Sequence, residues 1–174
     1  CDIVSRGGNF LLDIEPTADG RVPVIMEDRL IRIGQWLEIN GEAIYETRRW
    51  KKDCQWSEGE IVEYTKKEFH KGIPDPIIEM AKYPRAGQAR KECYFTAKDN
   101  SIYALVTKVP ANGIFMIKDL QLSKSSIVSL LGIEGELKAK NSKGGVSVTL
   151  PGNAALSLLS QPVFVLKLTE IKDI

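Results

Sequence analysis

The chain changes its hydrophobic rhythm along its length. Asn9 to Ile14 carries a short apolar run (Phe10, Leu11, Leu12, Ile14), the pattern of a strand buried on both faces as in a parallel sheet covered by helices. It stops at Pro16-Thr17-Ala18-Asp19-Gly20, where Asp-Gly supplies a turn, and Pro23 suits the first turn of a helix. From Val24 to Ile39 the apolar residues Met26, Leu30, Ile33 and Leu37 fall four, three and four apart, which predicts one helical face. Asn40-Gly41 reads as a helix stop, because both residues tolerate the left-handed conformation, and a short helical piece is predicted over Glu42 to Glu46.

Residues 50 to 92 lose this regularity. Pro74, Pro76 and Pro84 argue against long strands or helices, and an extended connector is predicted that packs through Trp56, Tyr64, Ile77, Ile78 and Met80. From Lys91 the period becomes two. Cys93 and Phe95 alternate, Asp99-Asn100 turns, and Ile102, Ala104 and Val106 oppose Tyr103 and Leu105. Further strands are predicted at 114 to 122, 126 to 131, 135 to 140, 145 to 150 and 162 to 169, separated by Gly113, Gly132, Gly144-Gly145 and Pro151-Gly152. Six or seven short strands at that spacing make an antiparallel β-sandwich.

The expected division is therefore a terminal βα unit over 1–50, a connector over 51–90 and the sandwich over 91–174, a mainly β chain. A lone βα unit cannot bury both faces of its strand. Either another chain supplies its neighbours, or the first fifty residues lean on the sandwich. "CDIVSRGG" has no apolar leader and no initiating methionine, so a processed or cut piece is expected.

Composition narrows the chemistry. Hydrophobic residues at 43% and charged residues at 27% are globular values, and no apolar run approaches the ~20 residues of a membrane-spanning helix. The 24 basic and 23 acidic residues are spread evenly and leave a formal charge of +1, which gives no phosphate-neutralising stripe, so no nucleic-acid partner is expected. Cys1, Cys54 and Cys93 lack metal-ligand spacing; free thiols are the leading reading and a Cys54–Cys93 disulfide the alternative. One histidine, His70, builds no Ser-His-Asp set, and Gly7-Gly8-Asn9 precedes a strand instead of opening a helix, so it is no nucleotide signature. No cofactor and no metal are expected.

The stretch from Asp2 to Trp50 closely resembles the end of the catalytic domain of α-L-fucosidases of glycoside hydrolase family 29. The residues that carry the likeness are Ser5, Gly7-Gly8-Asn9, Pro16 to Gly20, Glu27, Leu30, Gly34, Trp36-Leu37, Asn40 to Tyr45 and Trp50. The remainder is similar to that family's C-terminal β-sandwich, through Phe95-Thr96, Ile102 to Val106, Val128 to Gly132, Val148 to Pro151 and Val163 to Thr169. The resemblance implies that residues 1–50 are the last βα unit of a (β/α)8-like barrel. It implies a parent enzyme that hydrolyses terminal L-fucose from glycans with retention, acting outside the cytoplasm: periplasmic, secreted or lysosomal. Its partners would be a fucosylated glycan, the remainder of the barrel and further copies in a homo-oligomer. The chain departs from the family at Asp13 and Glu15, where "LLNIGP" is usual; Asp13 loses the amide's donors, and Glu15 could not comfortably hold a positive φ.

Retaining glycosidases need two carboxyl groups about 5 to 5.5 Å apart. Asp13, Glu15 and Asp19 are candidates by position, since loops after barrel strands carry the chemistry. The resemblance instead implies that both catalytic carboxylates and the sugar-contacting histidines lie upstream, leaving these three as structural residues and His70 as a surface or packing residue. No catalytic residue is therefore assigned to this chain and its substrate-binding residues are left unassigned. Trp36 is expected in packing, and Trp50 and Trp56 either seal barrel to sandwich or offer a sugar platform. The alternative function is a non-catalytic carbohydrate-binding or scaffolding sandwich with residues 1 to 50 appended.

Overall fold

A computed structural model describes residues 1–61, 86–152 and 161–171. The elements run α1 (Asp2–Ser5), α2 (Val24–Asn40), a 3₁₀ turn (Gly41–Ala43), β1 (Arg48–Trp56), β2 (Lys91–Lys98), β3 (Ser101–Val106), β4 (Ile114–Lys118), β5 (Ile127–Leu130), β6 (Ala139–Ser142), β7 (Gly145–Thr149) and β8 (Phe164–Thr169). The chain is mainly β. Two antiparallel sheets, ordered β1-β2-β3-β8-β5 and β4-β7-β6, face each other.

Period-two alternation builds the core directly. On β2 and β3, Cys93, Phe95, Ala97, Ile102, Ala104 and Val106 point inward and are buried, meeting Phe115, Ile117, Val146 and Val148 from the smaller sheet and Leu166 and Leu168 from β8. The β2–β3 register, Phe95 opposite Ala104 and Lys98 opposite Ser101, is set by the two-residue Asp99-Asn100 turn, in which Asp99 takes φ 50°. Trp50 and Phe95 stack with centroids 5.1 Å apart and planes tilted by 56°.

Two elements differ from the sequence pattern. β1 is a nine-residue strand across the position where the pattern turns irregular. Its alternation is broken by a bulge, since five steps from Arg49 to Cys54 oppose two from Thr96 to Tyr94, so it does not read as period two. Residues 9–14, whose apolar run predicts a strand, form none: no neighbouring strand accepts their backbone among the described residues, and Phe10, Leu11 and Leu12 are 60%, 93% and 45% exposed. The helix stop also works differently. Gly41 is right-handed (φ −59°) and starts the 3₁₀ turn; a Cβ there would meet the Tyr45 ring at 2.9 Å, so close approach and not handedness calls for glycine.

Both seams of the sandwich are closed by amide side chains. At the β1–β4 seam, Gln55 Nε2 donates to the Met116 carbonyl at 2.7 Å and to Glu92 Oε1 at 2.8 Å, while Gln55 Oε1 accepts from the Lys118 amide at 2.8 Å. Asn141 on β6 repeats the device against Leu122, accepting from its amide at 2.8 Å and donating to its carbonyl at 3.0 Å. Beside it, the Ser129–Glu136 bridge and the Leu137 amide on the Val128 carbonyl extend β5 toward β6. Each amide replaces a missing rung, so the edge groups that would otherwise be unpaired are satisfied.

The segment that leaves β1 and returns to β2 is clasped at its ends. The Ser57 amide bonds the Arg90 carbonyl, the Glu60 amide the Gly87 carbonyl and the Ala89 amide the Glu60 carbonyl, each at 2.8 Å. Gly59, at φ +129°, sits inside this clasp with Gly87, Gln88 and Ala89 backbone atoms 2.7 to 2.8 Å from where a Cβ would be.

Candidate functional site

The loop that ends the apolar run organises itself. The Thr17 amide donates to the Arg21 carbonyl and the Gly20 amide to the Thr17 carbonyl, each at 2.8 Å. Asp19 accepts from the Thr17 hydroxyl and pairs with Arg21 Nε at 3.0 Å, its side chain 57% exposed. Asp13 and Glu15 are exposed, and no contact draws the three carboxylates together into an acid/base pair. Thr17 and Asp19 hold the shape of the turn. His70, together with Tyr64, Ile77, Ile78 and Met80, lies outside the described residues.

What the N-terminal segment does offer is an apolar face. On α2 the spacing of Met26, Leu30, Ile33 and Leu37 makes one stripe, and the stripe is not sealed: Met26, Leu30 and Leu37 are half-buried and Ile33 is exposed. Val24 (81% exposed) and Ile31 lie on the opposite side of the helix and are exposed, as is the run Phe10-Leu11-Leu12 in the preceding segment.

The flank of that stripe near the end of the helix is firmly held. Trp36 Nε1–H donates to the Val163 carbonyl at 2.7 Å, and Asn40, buried to 1% exposure, donates to the Trp36 carbonyl at 3.1 Å. Ala43 is fully buried with Tyr103, Leu105 and Val165 on the outer face of the five-stranded sheet, where Trp36 and Ile44 pack against them. The Thr96 hydroxyl donates to the Ala43 carbonyl at 2.7 Å, the Tyr103 hydroxyl to Glu42 Oε1 at 2.7 Å, and Lys167 pairs with the same carboxylate. Lys98 reaches Glu46 at 2.7 Å.

Burial pushes the Glu42 carboxyl up, but the donors from Lys167 and Tyr103 outweigh it and hold the group below its ordinary value. Burial and the Glu42 hydrogen bond together raise the Tyr103 phenol, so it stays a donor at any working pH. The sequence pattern sets Tyr103 and Leu105 on the face opposite Ile102, and that is the face the helix covers. Nothing in the spacing marks Asn40 or Glu42 as the residues that reach it, because they lie beside the stripe and not on it.

The other candidates resolve into packing. Trp50 is buried inside the sandwich at 2% exposure, so it neither seals a domain junction nor offers a platform. Trp56 is half-buried, with Lys91 Nζ 5.5 Å from its ring centroid, and Lys91 also pairs with Asp2, which Arg6 bonds at 3.2 Å; this fastens α1 to β1 and β2. Cys54 pairs in register with Tyr94 and Cys93 with Gln55, so the two thiols face opposite sides of the sheet and are free, against the disulfide alternative. Burial raises the Cys93 thiol well above its ordinary range. No group of three His, Cys, Asp or Glu side chains gathers as a metal site, and no helix is long and apolar enough to cross a membrane, among the described residues.

Comparison with known proteins gives the face a context. The family model for "Alpha-L-fucosidase" matches residues 1–42 and that for "Alpha-L-fucosidase C-terminal domain" matches residues 87–169. Tissue α-L-fucosidase of Mus musculus is 30% identical over 169 residues, covering 97% of this chain, and plasma α-L-fucosidase of Rattus norvegicus is 34% identical over 154 residues, covering 86%. The chain spans 30% and 27% of the length of these two relatives. Among solved structures, Thermotoga maritima α-fucosidase in complex with a mechanism-based inhibitor superposes with a TM-score of 0.67 at 28% identity, over 97% of this chain and 32% of that one.

Proposed function

The chain belongs to the α-L-fucosidase family, and from that premise we propose that it is the C-terminal portion of a retaining exo-α-L-fucosidase that releases terminal L-fucose from glycans. The observation that carries this reading is the order of the two family matches, residues 1–42 before residues 87–169, together with relatives that align over nearly the whole chain. In this reading residues 1–47 complete the wall of a (β/α)8-like barrel, and the sandwich, which takes in β1 (Arg48–Trp56) as well as the expected 91–174, packs on the barrel's last helix.

The chemistry is a double displacement: a carboxylate attacks the anomeric carbon while a carboxylic acid protonates the departing oxygen, and water then cleaves the fucosyl-enzyme. Both groups belong to the upstream part of the longer chain. The self-contained Thr17–Arg21 turn supports that assignment, since Asp19 is occupied in holding a loop and Asp13 and Glu15 face solvent. The same reading carries a location outside the cytoplasm and a fucosylated glycan as partner.

The test is direct. The longer protein should release p-nitrophenol from p-nitrophenyl α-L-fucoside and give the α-anomer of fucose first by NMR, and the 174-residue chain alone should give no turnover. A longer protein without fucosidase activity removes the reading. Turnover by the purified short chain removes the upstream placement of the catalytic pair. Saturable calorimetric binding of fucosylated oligosaccharide by the short chain would favour a sugar-binding module instead.

A further inference from the structure

We propose that Asn112-Gly113, in the turn that leads into β4, is a modification site at which the chain converts its own asparagine to aspartate and isoaspartate, while Asn40-Gly41, the same dipeptide, is kept inert by the fold. This rests on the geometry of the two steps alone, whatever reaction the longer protein performs.

The chemistry takes no reagent but water. The glycine nitrogen, having given up its proton, attacks Cγ of the preceding asparagine; the Cγ–Nδ2 bond breaks, and ammonia leaves with that proton as a cyclic imide closes. Water then opens the imide on either side. Cleavage of the nitrogen–Cγ bond gives aspartate with the main chain intact, and cleavage at the asparagine's own carbonyl gives isoaspartate, whose main chain runs through Cβ and Cγ. The attack needs Cγ held close to the following nitrogen, a donor aimed at the oxygen where charge develops, and room for the ring.

Asn112 meets all three conditions. Its Oδ1 accepts from the Ile114 amide at 3.0 Å, an Asx turn that folds the side-chain carbonyl over the Gly113 nitrogen and points an N–H at the developing oxyanion. A Cβ built at Gly113 would meet nothing within 4 Å, so the ring has space. Asn112 is exposed, and the Gly113 amide is held only by the Pro110 carbonyl at 2.9 Å, a turn bond at the surface that opens readily.

Asn40 fails each of them. It is 1% exposed, and its Nδ2, the group that must leave, donates to the Trp36 carbonyl at 3.1 Å and to Gln161 Oε1 at 3.4 Å. No donor among the described residues reaches its Oδ1. The Gly41 amide is bound to the Leu37 carbonyl, and the Tyr45 ring lies 2.9 Å from where a Gly41 Cβ would be. The product at residue 112 also has a structural consequence. The Gly113 carbonyl accepts from the Leu150 amide at 2.8 Å, beside the Ile114–Thr149 pair, so the longer isoaspartyl main chain loosens the first rung between β4 and β7.

Peptide mapping of the 174-residue chain in mildly alkaline buffer tests the site, with deamidation read by mass and isoaspartate by enzymatic methyl uptake. Conversion at residue 112 should run at least about tenfold ahead of residue 40 in the folded chain, and less than about tenfold ahead in urea, where both steps are open. A smaller ratio in the folded chain, or an undiminished one in urea, overturns the inference. Asn112→Gln, whose longer side chain cannot close the same ring, should remove most of the methyl uptake; retention of most of it places the reaction elsewhere and overturns the assignment. In the isoaspartyl fraction, exchange of the Leu150 amide should rise by about tenfold with β2 and β3 unchanged, and an unchanged Leu150 removes the structural consequence.

Discussion

Residues 9–14 and strand β3 are both short apolar runs, and they end up in opposite states. In β3, Ile102, Leu105 and Val106 are fully buried between β2 and β8; in the first segment, Leu11 is 93% exposed. The difference is not in the side chains. β3 has two antiparallel neighbours within the chain, reached through a two-residue turn on one side, and so pairs every backbone group locally. A parallel strand has to obtain its neighbours through crossover connections, and where those neighbours are not provided the apolar run cannot become a strand at all. Hydrophobic pattern states what a segment would bury; neighbours decide whether it does.

The sharpest way to break this comparison is to truncate one apolar side chain in each region. Phe95→Ala removes a fully buried ring stacked on Trp50 and should cost about 3–5 kcal/mol, whereas Leu11→Ala should stay within about 0.5 kcal/mol, both read from urea denaturation of the 174-residue chain. Comparable losses would mean that the first segment is packed after all. Next in size is the seam. Gln55→Leu keeps the volume but leaves the Lys118 amide and the Met116 carbonyl without partners, an expected loss of about 2–3 kcal/mol.

The smallest effect concerns the tether between the two regions. Tyr103→Phe should cost about 1 kcal/mol at neutral pH, a figure reduced because Glu42 is partly solvated. Its pH dependence has a definite sign. The folded value of Glu42 is depressed, so its contribution is present above the unfolded value and is lost as pH falls through the folded one. The gap in Tm between the wild-type chain and the variant should therefore narrow below about pH 4. A gap that widens in acid would show that the hydroxyl does not act through the Glu42 carboxylate.

Much of the sandwich was legible because its code is local. Cys93, Phe95, Ile102 and Val106 alternate, Asp99-Asn100 punctuates, and β2, β3, β7 and β8 lie close to where the period-two runs put them. β1 was not: it straddles the expected boundary between the βα unit and the connector at residue 50, and its bulge shifts the alternation halfway along. α2 was legible as a helix but not in its orientation. Period 3.6 finds the apolar stripe, and the flank by which the sandwich grips it is made of one indole, a buried amide and backbone carbonyls, which no hydropathy pattern weighs. The edge-closing amides Gln55 and Asn141 escaped for the same reason: an amide acting as a peptide rung looks like any surface residue until its partners are known.

The clasp between Ser57–Glu60 and Gly87–Arg90 fixes where the chain departs from one strand and re-enters the next, independently of the length in between. Loop closure costs only about 0.6 kcal/mol per doubling of length. The position is thus an insertion slot: a grafted segment of different length should be accepted there, because the register of β1 against β2 is kept by backbone bonds that lie outside it. Gly59 is the residue such a graft must leave in place, because any side chain there would pry the two ends of the slot apart.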